Sequence, residues 1–201
     1  MVDRIQQEEG RALVHAFEGK RVTAATAGVG LEIFEDVADV DVVIVPIGAG
    51  GLCSGVSRLA KLLHPRCKVY GVEPFGSGVM TKSLKAGSPQ RVDRITTIAD
   101  SLGPPMTLPY VYAMVSRFVD EVVQISDDEM AAAAAILFAE MKLALEPAGA
   151  ASTAGMLGPL RDKVRGRRVV PIVCGTNIDA DGFRAFLARG QEALRQGVLA
   201  P

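Results

Sequence analysis

The chain has 201 residues, 49% of them hydrophobic and 22% charged, a balance that suits a compact globular protein and excludes a disordered one. Its 22 Lys plus Arg stand against 23 Asp plus Glu, a net charge of -1, so no broad basic surface draws it to nucleic acid. The three cysteines, Cys53, Cys67 and Cys174, lack CxxC spacing, which argues against a disulfide framework or a zinc site and points to the cytoplasm; the longest apolar run, MAAAAAILFA at 130–139, is too short to span a bilayer.

Along the chain the apolar period switches repeatedly between continuous runs and helical stripes, with Gly, Pro or Asp at the switches. That rhythm predicts an α/β fold with an open, mostly parallel sheet and helices on both faces. The spacing predicts a helix over about 3–12, a short strand near 12–15, a helix over about 22–35 and a buried strand at 41–46. A helix at 51–63 follows, then a strand at 68–72, where KVYGVE alternates and ends at Pro74. Residues 75–108 read as irregular, because Gly76, Gly78, Gly87, Pro89, Pro104 and Pro105 interrupt any long element, and a loop of that length normally has a job. Next come a helix at 109–118, the strand EVVQIS, and a helix opened by the capping pattern Ser126-Asp127-Asp128-Glu129. Glu146-Pro147 ends that helix and starts another, AGAASTAGMLGPL, rich in small residues. The strand RVVPIVC at 168–174 ends at GTNID, and a last amphipathic helix covers about 180–195. No internal repeat or linker divides residues 1–201.

The stretch VPIGAGGLCSG, residues 45–55, places glycines between a predicted strand and a predicted helix. Backbone N–H groups converging there, with the positive end of the helix dipole, suit a phosphate. A P-loop would need Lys followed by Ser or Thr after its last glycine, and neither is present. A dinucleotide fingerprint matches Gly48 and Gly50 but puts Cys53 at the third glycine, with Glu73 where a ribose-binding carboxylate belongs. A tight turn without a ligand is the third reading of this loop alone.

Two further places gather chemistry of the same kind. Cys174-Gly175-Thr176-Asn177 follows the last predicted strand, and Glu146-Pro147-Ala148-Gly149-Ala150 sets a carboxylate beside a helix start. In a parallel sheet, ligands collect at the carboxyl ends of the strands. VPIGAGGL, YGVEP, TIADSLG, MKLALEPAGA and IVCGTNID follow one another in an order and at spacings that resemble the serine/threonine dehydratase and serine racemase family, enzymes of fold type II that use pyridoxal 5'-phosphate (PLP).

The resemblance implies that Gly48, Ala49, Gly50, Gly51 and Leu52 cup the phosphate of PLP through backbone amides, and that Cys174 hydrogen-bonds the pyridine nitrogen. It implies that Glu146 is the carboxylate near the cofactor ring and that Asp100 orders a nearby loop. Glu73 matches the first ligand of a divalent-cation site found in part of the family, although Ser77 and Val79 stand where a second carboxylate would be needed. His15-Ala16-Phe17-Glu18 resembles the family's HPFDD segment, and in VTAATAGVGLE, residues 22–32, Thr26 replaces the family's Gln. His64 reads as a solvated residue at a helix end.

The family's Schiff-base lysine lies in an upstream segment of the type SFKxRG, which this sequence lacks. Lys20, Lys61, Lys68, Lys82, Lys85, Lys142 and Lys163 all fall in contexts that predict solvent-facing positions. The expectation is therefore the C-terminal part of a PLP enzyme: most of the large cofactor domain, inactive as given, from a parent that deaminates L-serine or L-threonine and works as a homodimer on a small amino acid. A serine racemase, or a non-catalytic phosphate- or nucleotide-binding module with the GAGG loop as its site, is the alternative.

Overall fold

The structure, a computed structural model, describes residues 2–199. Helix α1 (Val2–Glu9) precedes an extended segment, and α2 (Lys20–Asp36) leads into strand β1 (Val42–Pro46). There follow α3 (Gly51–Leu63), β2 (Lys68–Pro74), α4 (Val79–Ala86), α5 (Pro109–Phe118), β3 (Glu121–Ile125), α6 (Asp127–Met141), α7 (Ala151–Leu157), α8 (Arg161–Val164), β4 (Val169–Pro171) and α9 (Ala180–Arg195). The strands form one sheet in the order β3-β2-β1-β4, and every pairing is parallel.

β1 is apolar throughout because both of its faces are covered. The two-residue period of a strand divides its side chains between two cores. Val42 and Ile44 join Val72, Ile125 and the alanines of α6 and α7 on one face, while Val43, Val45 and Ile47 pack with Cys53 and Val56 of α3 and Val115 of α5 on the other. Helix α6 is buried almost all round, since Met130–Ala135 pack inward and α9 covers its outer side with Phe183 edge-on to Phe138 at 5.2 Å. Its predicted capping box is present: Glu129 N donates to Ser126 Oγ at 3.1 Å, and Ser126 N donates to Glu129 Oε2 at 2.6 Å. Among the described residues no helix is long and apolar enough to cross a membrane.

Four expectations about the elements are corrected. Residues 12–15 form no strand, and Leu13 and Val14 are exposed; apolar residues alone do not hold an extended segment that has no neighbouring strand to pair with. Residues 75–108 are not structureless, because Gly78 and Gly87, read as breakers, are the left-handed caps of α4, and Asp100–Leu102 form a 3₁₀ turn. The helix from Ser126 ends at Met141, with Lys142 in the left-handed region, five residues before Glu146. β4 ends at Pro171, which has no N–H to continue a ladder, although Ile172 N still donates to Ile44 O at 2.9 Å.

Candidate active site

A cavity of about 420 Å³ opens at the carboxyl ends of β1 and β4. One wall is the loop Gly48–Leu52, and facing it are Phe17, the Asp100–Pro104 turn, Glu146 and the Cys174-Gly175 segment that follows β4. All seven residues expected to hold a cofactor, Gly48, Ala49, Gly50, Gly51, Leu52, Glu146 and Cys174, therefore line one space.

The loop is fixed by its carbonyls. Ala49 O accepts the buried Thr107 hydroxyl at 2.7 Å, and Gly50 O accepts Ser54 N at 2.8 Å in the first turn of α3. Gly51 O is met by Ser54 Oγ at 2.8 Å and Thr26 Oγ1 at 3.0 Å, and Thr23 Oγ1 backs Ser54 at 2.8 Å. With those carbonyls engaged, the N–H groups of Gly48 through Leu52 donate to no acceptor among the described residues, a cluster of free donors at a helix N-terminus that suits an oxyanion. Gly50 has φ 111°, a left-handed conformation that side chains resist, and a Cβ on Gly51 would stand 2.9 Å from Phe17 Cβ. Ala49 is buried and lies outside the left-handed region, so its backbone accepts a methyl where Gly50 would not. These features fit the phosphate of PLP.

Across the cavity Glu146 is held at three atoms. Its N–H donates to Gly175 O at 3.1 Å, its carbonyl accepts Gly149 N at 3.0 Å, and Oε1 accepts Ser101 Oγ at 3.1 Å. Cys174 is open to the cavity side, and desolvation by the surrounding walls, followed by the nearby Glu146 carboxylate, pushes its thiol above the ordinary range. A thiol so placed stays neutral near pH 7 and offers an S–H to a ring nitrogen, leaving that nitrogen unprotonated. Among the described residues no Lys or Arg lines the cavity.

Other expected residues take different posts. Glu73 is fully buried and its two oxygens accept Met80 N at 2.6 Å and Thr81 N at 3.0 Å, so the carboxylate caps α4. Burial pushes its pKa up against the pull of those amides. With its oxygens engaged it is not free for a ribose, and among the described residues no three His, Cys, Asp or Glu gather around it or elsewhere to hold a metal ion. His15 Nδ1 accepts Phe17 N and Glu18 N at 3.2 and 3.0 Å, shaping the turn that presents Phe17 to the cavity. Asp100 is exposed at the cavity's edge, and His64 is exposed and stacked on Phe34 at 4.4 Å. The sequence reading missed Thr107 and Ser101 and singled out Thr26 without its role as a latch; these roles arise from contacts 58, 45 and 25 residues distant.

Phosphate-suited amides at the end of a parallel strand, faced by a neutral thiol and a carboxylate, are the arrangement the sequence led one to expect of a fold type II enzyme. The chain belongs to the pyridoxal-phosphate dependent enzyme family, whose sequence profile matches residues 1–175. It is 47% identical over 189 residues to a phenylserine dehydratase of Ralstonia pickettii, an alignment covering 94% of this chain and 58% of that protein. Its fold matches the processed form of threonine deaminase isoform 2 from Solanum lycopersicum with a TM-score of 0.88 at 27% identity, covering 92% of this chain and 55% of the other. The serine racemase of Dictyostelium discoideum matches with a TM-score of 0.82 at 31% identity, over 89% and 57% of the two chains. The chain spans about half the length of the curated relatives it matches.

Proposed function

We propose that this chain is the cofactor-seating part of a PLP enzyme that deaminates a 3-hydroxy amino acid, L-serine or L-threonine, to a 2-oxo acid and ammonia. The observation that carries the reading is the loop Gly48–Leu52, whose amides are freed by side-chain latches on its carbonyls and face Glu146 and Cys174. When bound, PLP supplies an electron sink for the charge left at the substrate's α-carbon. The loop amides anchor the phosphate, and the neutral Cys174 S–H orients the ring while keeping the sink moderate, which suits loss of a β-hydroxyl over longer-lived carbanion chemistry. Ser101 steadies the Glu146 carboxylate, and Phe17, Leu102 and Pro104 restrict water at the cavity mouth. The 47% identity to a phenylserine dehydratase supports a second reading, in which the 3-hydroxy amino acid carries an aromatic ring.

Among the described residues no lysine lines the cavity, so on this reading the chain would hold PLP without a covalent bond and without a general base of that kind, worth about 10²–10⁴-fold in rate. Saturable PLP binding by fluorescence titration is expected, with no turnover of serine, threonine or phenylserine and no lysine labelled stoichiometrically by borohydride. Saturable NAD binding in place of PLP would overturn the cofactor reading. One labelled lysine together with turnover would show that the covalent anchor lies within these 201 residues.

A further inference from the structure

A second concavity, also of about 420 Å³, opens at the carboxyl ends of β2 and β3, outside the site described above. Its walls are the Phe75–Gly78 turn, the first turns of α4, Gln124 of β3, and the stretch carrying Val92, Arg94 and Thr96. That stretch is held in place by Thr96 N on Gly76 O at 2.9 Å and Val92 N on Pro105 O at 2.8 Å. Lys82, Lys85 and Arg94 line the space, and among the described residues no Asp or Glu does. Lys82 Nζ donates to Arg91 O at 2.7 Å, which fixes its stem but leaves its charge uncompensated. Of the acids nearest in sequence, Asp93 stands exposed between Val92 and Arg94 but outside the lining, and Glu73 is turned under α4 with no exposure and both oxygens engaged. At the floor, Ser77 is 3% exposed and its hydroxyl has no partner among the described residues.

Three cations around one concavity repel each other unless something between them is negative. The polar groups available are mainly donors: two ammonium groups, a guanidinium fork that matches a phosphate through paired bonds, the Gln124 amide and the Ser77 hydroxyl. Ligands of parallel sheets gather at this end of the strands. We propose that this concavity binds a small phosphate-bearing anion, separately from the Gly48–Leu52 loop. Phe75, 64% exposed at the rim, offers an apolar face to whatever an ester would carry.

Backbone ¹H–¹⁵N spectra of the full 201-residue chain test this with inorganic phosphate and with phenyl phosphate, against chloride at equal ionic strength. The amides of Gly76, Gly78, Lys85 and Thr96 should shift saturably. In the double variant Lys85→Glu, Arg94→Glu those shifts should weaken at least tenfold in affinity, while shifts at Gly48–Leu52 persist and the rest of the spectrum certifies the fold. Tighter binding of phenyl phosphate identifies an ester as the guest, and equal binding identifies free phosphate. Absence of saturable shifts around residues 76–96, their reproduction by chloride, or their persistence in the double variant would overturn the proposal. Shifts at Gly48–Leu52 are read separately, so failure here is distinct from failure of the PLP site.

Discussion

Two cavities of similar volume sit at the same end of one sheet and are built from opposite materials. At β1 and β4 the donors are backbone N–H groups, and the titratable neighbours are Asp100, Glu146 and Cys174; at β2 and β3 the donors are Lys82, Lys85 and Arg94. Backbone dipoles hold an anion at fixed points and add no net charge, so the electronics beside it are left to a neutral thiol and the carboxylates of Glu146 and, at the edge, Asp100. Ammonium groups on long side chains supply net charge, with only Lys82 of the pair tied to a carbonyl among the described residues. The first arrangement suits chemistry on a bound group, and the second suits holding one.

The sharpest way to break this contrast is Gly51→Asp. It sets a carboxylate among the free amides and a Cβ against Phe17, and like charge in such a place costs several kcal/mol, so PLP affinity should fall by about 100-fold or more. Fluorescence titration measures it, and Gly51→Ala separates the steric part from the charge. Lys85→Glu should leave PLP affinity alone; a parallel loss there would mean the two cavities are coupled.

Thr107→Val tests whether the loop is held by its carbonyls. Leaving Ala49 O buried without its donor should cost about 1–3 kcal/mol in urea unfolding, with Thr107→Ser recovering most of it. PLP affinity should fall in the valine variant as the amides lose their common direction.

Glu146→Gln probes the electrostatics opposite the loop. Burial keeps the Cys174 thiol raised, but removing the carboxylate's charge removes the second contribution, so the thiol pKa should drop. Alkylation of Cys174 by iodoacetamide, followed against pH, should run faster at each pH below the plateau and reach half-maximum at lower pH than in the unaltered chain. An unchanged profile would mean that Glu146 does not face the sulfur.

The smallest effect belongs to a place where both signs of charge are present. At the amino end of β2, Asp120 accepts Lys61 Nζ at 2.6 Å, Lys68 Nζ at 2.8 Å and Val69 N at 2.8 Å. Its partial burial works against the charged form, yet these bonds outweigh it and hold the carboxyl below the usual range. A folded pKa below the unfolded one contributes stability that is present above the unfolded pKa and is lost as pH falls through the folded one. Asp120→Asn should therefore cost about 1 kcal/mol at neutral pH, and the difference from the unaltered chain should vanish in acid.

Much of this was legible in the sequence where a local pattern decides the structure. Helices 51–63, 109–118 and 180–195 follow the predicted bounds because their apolar stripes, Pro109 at the first turn and the Asp179 cap act within a few residues. The glycine loop, Glu146 and Cys174 were found together because each sits at a strand end or helix start with its own motif. The latches were not, since Thr107 and Ser101 are ordinary loop residues until the fold brings them to Ala49 and Glu146. Glu73 was read as a cation ligand or a ribose partner because a carboxylate at a strand end suits either, whereas the structure spends it on the amides of a helix hidden between two glycines.

The four residues His15–Glu18 act as a bracket. The Glu18 carboxylate takes the first amides of α5, Tyr110 N at 2.8 Å and Val111 N at 3.2 Å, while Phe17, one residue away, leans on Gly51. A shift of Phe17 away from the phosphate cradle drags on two charge-assisted bonds at the head of a helix whose Val115 packs beneath the sheet. The wall of the cavity at Phe17 and the head of α5 are thus fastened by the same four residues, so a change at that helix cap should be felt by a guest in the cradle as well as by the helix.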